Sequence, residues 1–291
     1  MPELPFRTLR DSYLGIYTQS FVWQTPACSV FLDAGLRTGA AAREPYLDGR
    51  PCALLMTHGH WDHIGCCGQL QRRGAAVWAH PGDARLYCDH DWHWQLLFGQ
   101  FEGDFALPPE RRTVFSGSVG EPVTPDRAVQ DGDILPFGPL RFRAIGLPGH
   151  SRGSVCYLEE GSGILFTGDG VMGRGFFAGT PQIMDFDDYF ASLERLAWER
   201  VSAVVTDHTE ILPGEELPAL LRESRLCAER MLRSAETWAR ETRELSVGGA
   251  ARAMAAGEGK AVGGGTCVSA LAALRRMRDD PRAQACAARY L

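Results

Sequence analysis

The chain has 291 residues, 45 % of them apolar and 23 % charged, with a formal net charge of −6. That is enough chain to bury one large core, and the composition excludes a fibrous or disordered protein. No stretch approaches the roughly 20 apolar residues that span a bilayer. Residues 1–212 carry 17 arginines against 26 acidic side chains, a balance that disfavours a nucleic acid partner.

The start, Met1-Pro2-Glu3-Leu4-Pro5-Phe6, has neither the basic region nor the apolar run of a signal peptide. Nine cysteines, an odd number that includes the adjacent Cys66 and Cys67, suit a reducing compartment. A cytoplasmic location is therefore expected.

In chain order, strands are expected at 29–32 and 53–56. The second runs into Thr57-His58-Gly59-His60-Trp61-Asp62-His63, and a helical pattern over 64–73 follows, then a strand at 76–79. Residues 90–125 are aromatic and irregular, with Trp92, Trp94, Phe98, Phe101 and Phe105 ahead of a run rich in Pro, Gly and Ser. Such an insertion is a lid or binding loop, or else disordered; the alternative is that its aromatics anchor it to the core. Further strands are expected at 140–145, 154–158, 164–167 and 203–206. Phe190, Leu193, Leu196 and Ala197 recur at helical spacing, with Asp187 or Asp188 as cap. From Pro213 the pattern turns helical over 215–244 and 247–256, passes through a flexible run at 257–265, and ends in a helix over 267–278. This predicts a layered α/β catalytic unit over 1–212 and a helical region over 213–291.

The pattern H-x-H-x-D-H at 58–63 would arise by chance in a chain of this composition with a probability of roughly 3 in ten thousand, so it reads as a motif with a mechanism. Neutral imidazole and carboxylate are ligands for zinc and similar divalent ions. More such groups lie just past strand ends: Pro148-Gly149-His150-Ser151, Thr167-Gly168-Asp169 and Asp207-His208-Thr209. Strand ends can converge on one rim of a sheet.

These four motifs, in this order over about residues 12–212, resemble the metallo-β-lactamase fold superfamily. The resemblance implies a four-layer αββα sandwich with two metals at the sheets' edge. His58, His60 and His150 would bind the first metal; Asp62, His63 and His208 the second; Asp169 would bridge both. Two Zn2+ are the expected ions, with iron or manganese as alternatives. A hydroxide shared by the pair would attack an acyl carbon, with Asp62 as the catalytic carboxylate. Asp33 occupies the family's buried aspartate position, where a carboxylate takes the second N–H of a metal-bound histidine; on turn chemistry alone it is a turn residue before glycine. The sequence departs from the family at 207–209, where Asp207 and Thr209 replace the usual glycines.

The helical C-terminal region is similar to that of the glyoxalase II-like branch. An ester-like substrate is thus expected, a thioester or lactone on a small molecule or a carrier protein. Iron-dependent redox chemistry like that of the sulfur dioxygenases, and phosphodiester cleavage, are the alternatives. The last helices could also serve a partner or a homodimer.

Other polar residues read more plainly. His80 is expected to be structural, His90 and His93 to sit exposed in the insertion or to reach substrate, and Cys66 and Cys67 to pack. Trp61 is expected at the mouth of the site, and Phe176 and Phe177 to contact substrate or join the core.

Overall fold

The computed structural model describes residues 4–13, 15–172, 180–208 and 211–291, apart from the side chain of Ile16. Two six-stranded sheets form its centre. The first has the order β1 (Arg7–Tyr13), β2 (Ile16–Gln24), β3 (Ser29–Leu32), β4 (Cys52–Leu55), β5 (Ala75–Ala79), β6 (Arg127–Ala128). The second has β12 (Leu212–Pro213), β11 (Ala203–Val205), β10 (Ile164–Phe166), β9 (Val155–Glu159), β8 (Leu140–Gly146), β7 (Ile134–Phe137). Strands β3 to β6 run parallel, as do β10 and β11; the other neighbours are antiparallel.

Helices cover both outer faces: α1 (Ala40–Arg43), α2 (Cys67–Arg72), α3 (Ala84–Cys88), α4 (His90–Leu97), α5 (Arg111–Ser118), α6 (Phe186–Leu196), α7 (Leu217–Glu241), α8 (Val247–Gly257), α9 (Gly264–Arg276) and α10 (Pro281–Ala287). The four-layer αββα sandwich follows from strands that are apolar on both faces. Because successive side chains point to opposite sides, Val30 and Leu32 enter the layer between the sheets while Phe31 packs under the helices. Between the sheets, Trp23 stands edge-on to Phe142 and Phe166, with ring centroids 5.0 and 5.1 Å apart. On the outer side, Leu220, Leu221 and Met231 of α7 join the same apolar cluster as Leu54, Ile145 and Val204. The C-terminal helices are thus continuous with the core. Among the described residues, no helix is long and apolar enough to cross a membrane.

All seven expected strands are present, each within one residue of its expected ends. The hairpin β1–β2 is an addition to them, unsignalled because polar residues break its apolar pattern. Thr18, Gln19 and Ser20 are nevertheless buried, beside a buried ion pair. Arg43 Nη2 lies 2.7 Å from Asp11 Oδ2 and donates to Ser20 Oγ at 2.6 Å, and Asp11 also accepts from the Leu36 N–H.

Several other expectations are corrected. Residues 90–125 are packed structure: Trp94, Phe98, Phe101 and Phe115 are buried on α4, α5 and the turn between them, so the aromatics anchor this segment. The cap of α6 is Asp185, whose carboxylate accepts from the Asp188 N–H; the helix starts a turn earlier than the apolar spacing indicates. Helix α2 begins only at Cys67, because Ile64 is held in a bridge to Gly35. Helix α10 is a further addition, although Asp280 and Pro281 form an ordinary start signal.

Arg43→Met would leave Asp11 buried without its cation. It should lower the unfolding free energy by about 3–5 kcal/mol, read from urea denaturation with the wild type alongside. A loss below about 1 kcal/mol would mean that solvent reaches this pair.

Candidate metal centre

The end of β4 delivers His58 to His63, the end of β8 delivers His150, β10 leads to Asp169, and β11 to His208. The turns that follow are tight. Gly149 adopts a φ of +128°, and a Cβ there would meet the Tyr189 backbone at 2.5 Å. Gly168 has a φ of +50°, and a Cβ there would strike the Thr57 hydroxyl at 2.6 Å. Both positions require glycine.

The seven expected residues are brought together. His60 Nδ1 lies 2.8 Å from His150 Nε2, which lies 3.2 Å from His58 Nε2. On the other side, His208 Nε2 lies 3.3 Å from His63 Nε2, and Asp62 Oδ2 is 3.8 and 3.9 Å from these two nitrogens. Asp169 stands between the groups: Oδ2 is 3.7 Å from His150 and 3.6 Å from His63, and Oδ1 is 3.2 Å from His208. All are buried except His208, which is partly so.

The outward nitrogen of each ring fixes which inward nitrogen is bare. Thr57 Oγ1 donates its hydrogen to Asp33 Oδ2 at 2.6 Å, so it accepts from His58 Nδ1 at 3.0 Å. His150 Nδ1 donates to the Gln182 carbonyl at 2.9 Å, and His208 Nδ1 to the Tyr17 carbonyl at 2.8 Å. His63 Nδ1 faces Asp33 Oδ2 at 3.0 Å and Asp207 Oδ2 at 3.1 Å. The Nε2 atoms of His58 and His150 are therefore bare and face each other at 3.2 Å, an arrangement that fits a divalent cation. His58, His60 and His150 form one candidate ligand set, and Asp62, His63 and His208 another. Nitrogen and carboxylate donors without thiolate suit a borderline first-row ion.

The electrostatics divide the two sets. Burial, then the imidazoles around it, pushes His58 well below its ordinary value, and burial and His150 do the same to His60. Burial also lowers His150, against the pull of Asp169. Burial acts downward on His63 too, but Asp169 and Asp62 beside it hold it well above its ordinary value. Asp169 is held well below the carboxylate range: burial is outweighed by His208 and His63. Behind His63, burial and the neighbouring Asp33 push Asp207 well up, so it is a neutral acid next to an ionised one.

Some contributors carry no signal in the sequence. Asp83 is buried and accepts from the Gly59 N–H, the Gly153 N–H and Ser151 Oγ at 2.6–2.9 Å, tying the His58 and His150 loops together. Tyr87 donates to the His58 carbonyl. Gln182 touches both His60 and His150. The sequence marks Asp207 only as a replaced glycine. Asp33 proves to be both turn and partner, with φ +60° and hydrogen bonds to Thr57 and His63.

His93 is corrected: it is fully buried on α4, 6.2 Å from the His60 ring, and burial pushes it down to about 3. Trp61 is buried, 7 % exposed, and packs beside Phe98 and Phe115. His80 accepts from the Gly82 N–H at the start of a short helix. Cys66 and Cys67 pack, and burial raises the Cys66 thiol to about 11. Phe176, Phe177 and Thr209 lie outside the described residues.

Residues 15–214 match the family model of the metallo-beta-lactamase superfamily. The acyl-coenzyme A thioesterase MBLAC2 of Gallus gallus is 28 % identical over 165 residues, which cover 57 % of this chain and 56 % of that protein. The match therefore spans little more than half the length of that relative. The hydroxyacylglutathione hydrolase GloC of Haemophilus influenzae is 30 % identical over 159 residues, covering 52 % of this chain and 64 % of its own. In structure, a metallo-beta-lactamase family protein of Thermus thermophilus superimposes with a TM-score of 0.76 at 20 % identity, over 94 % of this chain and 93 % of the other.

A pH test separates the two ligand sets. In the metal-free protein His63 keeps its proton above the usual histidine range, whereas His58, His60 and His150 are already neutral. A divalent ion entering beside His63 must displace that proton, so affinity there should rise with pH, by up to about tenfold per unit. Affinity at the other set should stay nearly flat. Chelator competition at several pH values measures both; equal slopes would contradict this assignment.

Proposed function

The chain belongs to the metallo-beta-lactamase superfamily, and from that membership and the site's geometry we propose that it is a dinuclear metal hydrolase of thioesters or related acyl esters. The observation that carries this reading is Asp169, whose two oxygens face both sets of inward nitrogens at once. One ion would be held by His58, His60 and His150, the other by Asp62, His63 and His208, with Asp169 shared between them. Zinc suits these donors best, and iron or manganese are the alternatives that metal analysis separates.

Bound there, the metal pair supplies Lewis acidity and acidifies a water near neutral pH. The chain's own residues do the rest. Asp62 turns one oxygen toward His63 and His208, which leaves the other free to orient a water and take its proton as the acyl carbon is attacked. The C–S or C–O bond then breaks, and the leaving thiol or alcohol takes up a proton. Burial of the set keeps its charges strong by excluding bulk solvent. The relatives named as a thioesterase and a hydroxyacylglutathione hydrolase support an acyl substrate on a small molecule or a carrier. The acidic balance of residues 1–212 argues against a nucleic acid substrate. Residues 1–212 carry all seven candidate ligands, and the helices of 213–291 close the flank of the same unit.

Metal-quantified protein should cleave acyl-coenzyme A, acyl-glutathione or lactone substrates and leave phosphodiesters intact. Asp62→Ala should lower kcat by at least about 100-fold. Phosphodiester cleavage with every acyl substrate untouched would overturn the proposal, as would oxygen consumption with a persulfide in place of hydrolysis.

A further inference from the structure

Segment 180–185 crosses behind two of the three first-set histidines. The Gln182 carbonyl accepts from His150 Nδ1 at 2.9 Å, and its side-chain Nε2 lies 3.0 Å from His60 Nε2. His60 Nδ1 faces His150 Nε2 at 2.8 Å; an ion held at that nitrogen leaves the ring's hydrogen on Nε2, and the Gln182 amide, turned over about its last bond, presents its oxygen to accept it. The segment also grips the His150 turn, since the Met184 and Asp185 N–H groups donate to the Gly149 carbonyl at 2.7 and 3.1 Å.

Helix α9 holds this segment from the other side. The Ile183 N–H donates to Ser269 Oγ at 2.8 Å, and that hydroxyl lies 3.0 Å from the Pro181 carbonyl. Thr180 Oγ1 donates to Thr266 Oγ1 at 2.9 Å. Ser269 and Thr266 are fully buried. A glycine permits the approach: a Cβ at Gly265 would lie 3.2 Å from Gln182 Cβ.

We propose that Gln182 is a positioning residue for the first metal, and that α9, through Ser269 and Thr266, makes the C-terminal helices part of that metal's support. This rests on assigning His58, His60 and His150 to one ion. A ring free to rotate presents its lone pair in the right direction only part of the time, and loss of such an outer partner commonly weakens metal binding about 10–100-fold. His58 has its own partner in Thr57, and His63 and His208 have theirs in Asp33 and Tyr17. The second set should therefore not feel the change.

The test is cobalt(II) titration of the full chain, read by its visible absorption and by chelator competition, for wild type, Gln182→Leu, Gln182→Glu and Ser269→Ala. Gln182→Leu should weaken one of two cobalt sites about 10–100-fold and alter its absorption, while the other site stays within about twofold. Gln182→Glu, which still accepts from His60, should restore binding. Ser269→Ala should weaken the same site several-fold. Unchanged binding in Gln182→Leu, or equal losses in the Leu and Glu variants, would overturn the role of Gln182; unchanged binding in Ser269→Ala would overturn the role of α9. Should Gln182→Leu fail to fold, the Glu and Ser269 variants decide alone. A wild type that takes up no cobalt would instead refute the metal assignment itself.

Discussion

The inward nitrogens of His60 and His58 lie 2.8 and 3.2 Å from His150 Nε2, and three lone pairs turned toward one point repel unless a cation stands between them. Burial sharpens the conflict, because water cannot screen it. Much of the surrounding structure serves to keep those lone pairs facing inward. Each ring is pinned through its far nitrogen: His58 by Thr57, His150 by the Gln182 carbonyl, His208 by the Tyr17 carbonyl, His63 by Asp33. The chain thus maintains an arrangement that is unfavourable by itself and favourable around a divalent ion.

The sandwich holds that arrangement in place. Strands packed on both faces are rigid, and each ligand follows a strand end by only a few residues, so its backbone has little freedom. Asp83 then joins the His58 and His150 loops across the two sheets. Carboxylates divide the centre electrically. Asp169 and Asp62 keep a positive charge at His63, while the first three histidines stay neutral. The Asp207 acid behind His63 adds a second carboxyl where a glycine would leave space.

What can be read from the chain is what is local along it. His58 to His63 occupy six consecutive residues after an apolar strand, and the turns at His150 and Asp169 each pair a ligand with a glycine. Asp83 and Gln182 carry no local sign of their role, because their partners lie 24–70 and 32–122 residues away along the chain. The β1–β2 hairpin is hidden for a related reason: its buried Asp11 and Ser20 are satisfied by Arg43, in a different element. His93 reads as exposed because its neighbours Asp91 and Trp92 are polar or amphipathic, yet it faces inward on a short helix. The aromatic segment at 90–125 shows its composition but not its helices, which depend on Trp94, Phe98 and Phe115 finding one another.

The central claim is that the two sets of inward-facing groups hold two divalent ions with Asp169 between them. Anomalous diffraction from crystals of the metal-loaded protein, collected on either side of the metal's absorption edge, tests it most directly. Two peaks are expected, one among His58, His60 and His150 and one among Asp62, His63 and His208, about 3.5–4 Å apart. A single peak, or two peaks that do not share Asp169, would contradict it.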